Sequence, residues 1–257
     1  MSTSSNTAAA DRLRIVLVGT QHPGNIGSAA RAMKTMGLSR LVLVAPEKAP
    51  SAESYALAAG ADDVLAAAAT FPTLAEAVAD CRLVLGCTAR SRRIALDELL
   101  PRDAAARAVG EAAGGAEVAL VFGRERTGLT NEEYQLCHAA VHIPANPDYS
   151  SLNLAMAVQV LSYEVRMAML ALAPPVAAAD GERADPPASH AELEGFFSQL
   201  GETLDAIDFH KGRAPESAMR KLRRLFLRAS LDAREVRLLR GILADAERMA
   251  MLAGRKG

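Results

Sequence analysis

"RIVLVGTQHPGNIGSAARAMKTMGLSRLVLV", residues 14–44, decides the fold. Two apolar runs, RIVLV (14–18) and LVLV (41–44), enclose a segment of different character. A strand with one wet face alternates apolar and polar residues. Short unbroken apolar runs instead mark strands buried on both faces, as in a parallel sheet. Between the runs, Pro23-Gly24 signals a turn, and Asn25 stands as an N-cap before Ile26. A helical pattern then runs from Ile26 to Met36, with Gly37 as its C′ residue. A glycine loop that feeds a helix is a common phosphate seat, yet the dinucleotide fingerprint and the P-loop Lys-Ser/Thr pair are both missing. Gly24 and Gly27 would let a ligand or another chain approach the backbone closely. Asn25, Ser28 and Arg31 share a face near the helix N-terminus, which favours anions.

The pattern recurs along the chain. RLVLG (82–86), EVALVF (117–122) and AAVHI (139–143) read as further strands. Helical patterns lie between them: one ending at Gly60, TLAEAVAD (73–80), RDAAARAVGEAA (102–113), a TNEE capping box with Thr130 and Glu133, and a long helix from about Ser151 to Leu172. This alternation predicts an α/β domain with a parallel sheet. Residues 173–189, APPVAAADGERADPPAS, hold four prolines and read as a linker. A helical region follows, opened by the capping box SHAE (189–192), with Pro215 in a first turn and a last helix from about Leu231. The expected organisation is a disordered tail at 1–12, an α/β domain at 13–172, a linker at 173–188 and a small α-helical domain at 189–257.

The 257 residues are 50 % apolar and 23 % charged, with a formal net charge of −1, so no global field announces a nucleic-acid partner. The charge is unevenly placed. From Lys211 to Arg228 there are seven basic residues and one acid, whereas residues 174–210 carry eight acids and one arginine. Met219, Leu222, Leu225 and Phe226 form an apolar stripe, leaving Arg220, Lys221, Arg224 and Arg228 on the other face. That face reads as a solvated helix surface or as a phosphate-binding surface for folded RNA. Cys81, Cys87 and Cys137 form no C-x-x-C pair and no zinc spacing, so reduced thiols and no metal are expected. The start lacks the pattern of a signal peptide, and no uncharged apolar run is long enough to span a bilayer, so a cytoplasmic, membrane-free protein is expected.

Three more segments carry chemistry: GCTARSRR (86–93), FGRERTGLTNEE (122–133) and IPANPDYSSLNLAMAVQVLSYEVR (143–166). Each follows a predicted strand, as the opening loop does. The carboxyl ends of strands are where open α/β sheets collect ligands. Taken together, HPGNIGSAARAMKTMGL, FGRERTGLTNEE and NPDYSSLNLAMAVQVLSYEVRMA resemble the SPOUT (trefoil-knot) RNA methyltransferases, most closely the TrmJ family of tRNA (cytidine/uridine-2′-O)-methyltransferases. The likeness covers roughly residues 12–172, and the basic C-terminal helices fit that family's appended domain.

The resemblance implies a parallel sheet with a C-terminal trefoil knot. It implies S-adenosyl-L-methionine as methyl donor, held by Thr88, Ala89, Arg90, Gly123, Ile143, Ser150, Ser151 and Leu152. It implies a homodimer in which the opening loop of one subunit lies near the donor site of the other, with the helix 151–172 as a dimer element. Its core stripe would be Leu154, Val158, Leu161 and Val165. Arg31 would act at the reacting ribose hydroxyl, while Asn25, Arg124, Glu125 and Asn153 would place the RNA or the cleft loops. Arg220, Lys221, Arg224 and Arg228 would bind RNA. The implied reaction is 2′-O-methylation of cytidine or uridine at position 32 of the tRNA anticodon loop. A ribosomal RNA 2′-O-methyltransferase of the same superfamily and a non-catalytic RNA-binding protein are the alternatives. Gly19 departs from the family pattern, which often has Glu there.

Overall fold

The computed structural model describes residues 8–88, 96–172, 186–211 and 214–254. The chain divides into two compact units, Met1–Ala179 and Asp180–Gly257.

The first unit is an α/β sheet of seven strands: β1 (Leu13–Val18), β2 (Arg40–Val44), β3 (Ala69–Phe71), β4 (Leu83–Cys87), β5 (Asp97–Leu99), β6 (Val118–Phe122) and β7 (Ala139–Val141). All pairs are parallel, in the order β3-β2-β1-β6-β4-β7-β5. Its helices are α1 (Pro23–Thr35), α2 (Ala52–Ala58), α3 (Asp62–Ala66), α4 (Leu74–Ala77), α5 (Pro101–Ala113), α6 (Asn131–Gln135) and α7 (Leu154–Ala171). The pleat sends alternate residues to two cores. Leu13, Ile15 and Leu17 pack with the apolar sides of α1, α5 and α7; Val16 and Val18 pack on the opposite face with Leu74, Leu129 and Tyr134. The five apolar runs of the sequence are β1, β2, β4, β6 and β7. The three-residue strands β3 and β5 add to the expected set; Ala69, Thr70, Asp97 and Glu98 are exposed and show no apolar run.

Helix α1 corrects two expectations. Its N-cap is His22, with Pro23 in the first turn, so Asn25 lies inside the helix and its side chain is free to bond elsewhere. Nor does Gly27 admit a ligand: a Cβ there would lie 1.9 Å from the Ser54 carbonyl oxygen, so the missing side chain is what lets α2 pack on α1. Ser54 Oγ fastens the same packing by donating to the Pro23 carbonyl at 2.7 Å. Gly37 takes its left-handed place after α1 with φ of 80°.

At the other end of the strands Arg14, with a side chain 6 % exposed, donates to both Asp80 oxygens at 2.8 and 2.7 Å and to Glu117 at 2.7 Å. Burial opposes ionisation of both acids. The bonds from Arg14, joined at Glu117 by Arg40, outweigh it and hold both carboxyls below their ordinary range.

The tail expectation needs revision, since Ala9 and Ala10 are buried in the α/β core. The expected linker also ends early: Ala188 N–H donates to the Leu231 carbonyl at 2.9 Å, and Pro187 bridges Asp232, so both belong to the helical unit. Residues 1–7 and 173–185 lie outside the described residues. So do 89–95, part of the path that the expected knot concerns. Helix α7 has the length and mean hydropathy, 1.3, of a membrane span, yet Leu154, Val158, Leu161, Val165 and Met169 are buried in the α/β core.

The second unit holds α8 (His190–Ala206), α9 (Pro215–Ala229) and α10 (Ala233–Gly254). Ser189 and Glu192 cap α8 reciprocally. Its core gathers Leu193, Phe196, Phe197, Leu200, Leu204, Leu227 and Val236, with Phe226 edge-on to Phe196 at 4.9 Å. Leu225 does not join the stripe expected of it: it is 48 % exposed, and Leu227 takes the buried place.

Candidate active site

Four strand ends lie side by side in the order β1, β6, β4, β7. Their following segments, 19–22, 123–128, Thr88 and 142–153, therefore meet at one edge of the sheet. A cavity of about 210 Å³ opens there. Thr88, Gly123, Ile143, Ser150, Ser151 and Leu152 line it, and Phe122, Val141, Leu154 and Ala157 complete its apolar wall. Ala89 and Arg90 lie outside the described residues. Cys87 is also in the wall, and burial pushes its thiol above the ordinary range.

The segment after β6 is a tight loop closed by two backbone bonds. Gly128 N–H donates to the Arg124 carbonyl at 2.8 Å, and Arg124 N–H donates to the Gly128 carbonyl at 3.2 Å. Arg124 lines the cavity as well. Its guanidinium donates to both oxygens of Glu133 at 2.9 and 3.1 Å, the same carboxylate that closes the Thr130 capping box. Its side chain lies over Gly19, where φ is 58° and a Cβ would come within 2.6 Å of Arg124 Nε. Glycine at 19 thus makes the room that Arg124 fills.

Glu125 is likewise engaged. It accepts from the backbone N–H groups of Gln21 at 3.0 Å and His22 at 3.2 Å, and from Asn25 Nδ2 at 2.9 Å. Burial opposes its charge, but the bonds from Asn25, Gln21 and His22 outweigh that and hold its carboxyl below the ordinary range. Asn25 Oδ1 in turn accepts from Asn153 Nδ2 at 3.0 Å. Asn153 Oδ1 accepts from Ala155 N–H at 2.9 Å and so caps α7, which begins three residues later than its expected start at Ser151. Glu125, Asn25 and Asn153 form one chain of bonds across three strand ends. The cleft-placing residues are therefore brought together and point mainly at one another.

Arg126 is the residue that sequence reasoning missed. It lines the cavity, is exposed, and makes no hydrogen bond or ion pair within the described residues. The RERTG pattern alone could not separate it from Arg124, since only the fold shows which arginine meets Glu133. Arg31 sits exposed on α1 and does not line the cavity of its own chain. In the second unit Arg220, Lys221, Arg224 and Arg228 are all exposed on α9, whereas Arg223 is turned inward over the Phe197 ring, 4.5 Å from its centre. No group of three or more potential metal ligands occurs among the described residues.

A cavity with apolar walls, hydroxyls and backbone amides has the chemistry to suit a small amphipathic ligand. Residues 12–163 match the profile of the SpoU rRNA Methylase family, and residues 191–255 match the tRNA methyltransferase TrmJ C-terminal domain. The tRNA (cytidine/uridine-2′-O-)-methyltransferase TrmJ of Salmonella typhimurium is 54 % identical over 235 residues, which cover 91 % of this chain and 96 % of that protein. The crystal structure of TrmJ from Z. mobilis ZM4 superposes with a TM-score of 0.78 at 37 % identity, covering 91 % of this chain and 98 % of that one. A probable methylase family protein from Haemophilus influenzae Rd KW20 is 44 % identical, with a TM-score of 0.59 over 94 % of this chain and 98 % of that one. The chain belongs to the SpoU methylase family and, within it, to the TrmJ group.

Proposed function

We propose that this protein is a cytoplasmic, S-adenosyl-L-methionine-dependent tRNA 2′-O-methyltransferase that modifies cytidine or uridine at position 32 of the anticodon loop. The observation that carries the reading is the cavity: Thr88, Gly123, Ile143, Ser150, Ser151 and Leu152 surround one space at the strand ends. Their chemistry fits the donor. Ile143 and Leu152 offer apolar faces to a purine, and the loop backbone and hydroxyls offer hydrogen bonds to its polar edges. Bound there, S-adenosyl-L-methionine supplies a sulfonium methyl group as electrophile.

The chain's own groups orient the acceptor. A ribose hydroxyl is a weak nucleophile and must be positioned and relieved of its proton. A guanidinium is not deprotonated in proteins, so Arg31 is no general base. Its role is to hold the neighbouring phosphate and stabilise negative charge on the oxygen, leaving phosphate or water to take the proton. Arg31 lies outside the cavity lining of its own chain, and in the homodimer proposed here it serves the cavity of the second subunit. Helix α7 carries a second apolar face, Met156, Tyr163, Met167 and Leu170, all exposed in the single chain, which suits the homodimer this requires. Arg126 supplies a cation at the cavity wall. The face of Arg220, Lys221, Arg224 and Arg228 supplies phosphate contacts. The knotted backbone path of related methyltransferases belongs to the same reading.

The test is to incubate purified protein with methyl-labelled donor and either total tRNA or ribosomal RNA, then map the modified nucleotide. Label at the ribose of residue 32 in tRNA is the expected result. Label confined to ribosomal RNA, or no label together with no donor binding by calorimetry, overturns the proposal.

A further inference from the structure

We infer that Tyr149 is a stacking platform for the base of the nucleotide being methylated. Tyr149 is 82 % exposed, the most exposed large apolar side chain among the described residues. Isolated exposed apolar residues are ordinary on protein surfaces; the setting of this one is not. The chain has no tryptophan, four tyrosines and six phenylalanines; it buries Phe122, Tyr134, Phe196 and Phe197, and Tyr55, Tyr163 and Phe209 are exposed to between 44 and 49 %, well below Tyr149. The ring at 149 is left in water, and its residue directly precedes Ser150 and Ser151 of the cavity lining.

It is also held rigidly. Pro147–Tyr149 form a 3-10 turn. Asn146 Oδ1 accepts from Asp148 N–H at 3.1 Å, and Tyr149 N–H donates to the Asn146 carbonyl at 2.9 Å. Pro147 fixes one further backbone angle. The backbone that carries the ring is thus already ordered before a ligand stacks on it.

The chemistry of the substrate calls for such a surface. Resting on the proposed function, the reacting hydroxyl belongs to a nucleotide in a loop. To bring its ribose to the cavity, that nucleotide must give up stacking on its neighbours. Proteins that read single-stranded RNA replace the lost stack with an aromatic side chain, worth about ten- to a hundredfold in affinity per base. Stacking is tolerant of base identity, because every base has a π-face, so a ring here would accept cytidine and uridine alike. Arg126, in the cavity wall, suits the backbone of that nucleotide.

The full-length protein is compared with Tyr149→Ala and Tyr149→Phe, using tRNA that carries a fluorescent cytosine analogue at the methylated position. Tyr149→Ala is expected to raise KM for tRNA about tenfold with a smaller change in kcat, and to lose the quenching of the analogue on binding. Tyr149→Phe is expected to stay within about twofold of the unaltered protein and to keep the quenching. Calorimetry with S-adenosylhomocysteine should give the same Kd for all three proteins. Unchanged KM and quenching in Tyr149→Ala overturn the inference. So does an equal loss in Tyr149→Phe, which would assign the role to the hydroxyl, or a parallel loss of S-adenosylhomocysteine binding, which would assign the ring to the donor cavity. If the unaltered protein methylates no tRNA, the functional reading fails; if it does and Tyr149→Ala matches it, only the role of Tyr149 fails.

Discussion

Asn25 Nδ2 donates to Glu125 Oε1 at 2.9 Å across 100 residues of sequence. The other end of the same amide accepts from Asn153, so its orientation is set from both sides. This one side chain ties the loop after β1 to the loop after β6 and to the cap of α7.

Replacing Asn25 by Asp puts a second carboxylate against Glu125 in place of a donor. A lost hydrogen bond to a charged group costs about 1.5–3 kcal/mol, and like charge adds to it. Asn25→Asp is therefore expected to be less stable at pH 7 than Asn25→Ala, and to recover part of the difference as pH falls through the carboxylate range, where one proton relieves the pair. Thermal melts of both variants between pH 7 and 4 check this; equal melting temperatures at pH 7 would count against it.

The second apolar face of α7 should hold the dimer. Charges at Met156 and Leu170 are expected to give monomers in sedimentation experiments and to abolish methylation without unfolding the chain. Since Arg31 is proposed to serve the partner's cavity, Arg31→Ala and Leu152→Arg should each be inactive alone. Mixed and re-paired, they should recover about a quarter of the wild-type sites, one working site in each mixed dimer. No recovery would place Arg31 in its own subunit's reaction or outside the reaction altogether.

The two arginines of RERTG should separate by assay. Arg124→Ala breaks a bidentate, half-buried pair and is expected to lower stability by about 1–2 kcal/mol. Arg126→Ala breaks no bond within the described residues and should melt like the unaltered protein while losing at least about tenfold in kcat/KM, a change of about 1.4 kcal/mol in transition-state binding. Melting curves and steady-state kinetics on the two variants decide it.

Charge reversal at Arg220, Lys221, Arg224 and Arg228 is expected to weaken tRNA binding and flatten the dependence of log Kd on log salt, by about 0.7 to 0.9 for each phosphate that is no longer neutralised. The measurement is a salt titration of binding at fixed temperature. An unchanged slope removes α9 from the RNA surface.

The Arg14 cluster predicts acid sensitivity. Asp80 and Glu117 have carboxyls held below their ordinary values, 3.8 and 4.5, by Arg14. A depressed folded-state value means stability that is present above the ordinary value and lost as pH falls through the folded one. Arg14→Met should cost about 2 kcal/mol at pH 7, between the values for exposed and buried pairs because Asp80 is 60 % exposed. The cost should begin to shrink as pH falls below about 4.5, where the acids of the unfolded chain start to take up protons, and should vanish only below the depressed folded-state values. Denaturant midpoints from pH 7 to 3 give the comparison.

Five strands are legible in the sequence because both of their faces are buried, which leaves no polar residue to interrupt the run. β3 and β5 are not, since each is a three-residue strand at the rim of the sheet with only its last side chain, Phe71 or Leu99, packed on a core. The α6 and α8 caps are legible because Thr130 with Glu133 and Ser189 with Glu192 meet within one turn. Asn25 misleads for the same local reason: it suits a cap, and only partners from distant loops reveal its bonds.

The family resemblance picked out six of the cavity's lining residues; residue order by itself determined a parallel α/β unit followed by a helical one, with chemistry-bearing motifs at the strand ends. These follow from short-range periodicity and capping, which a linear chain displays. Only the tertiary structure decided that β6 lies between β1 and β4, against their order in the chain. That insertion brings Glu125 to Asn25, turns Arg124 onto Glu133 and leaves Arg126 at the cavity. Strand order is chosen by the packing of both sheet faces at once, a non-local balance with no counterpart in any short stretch of sequence.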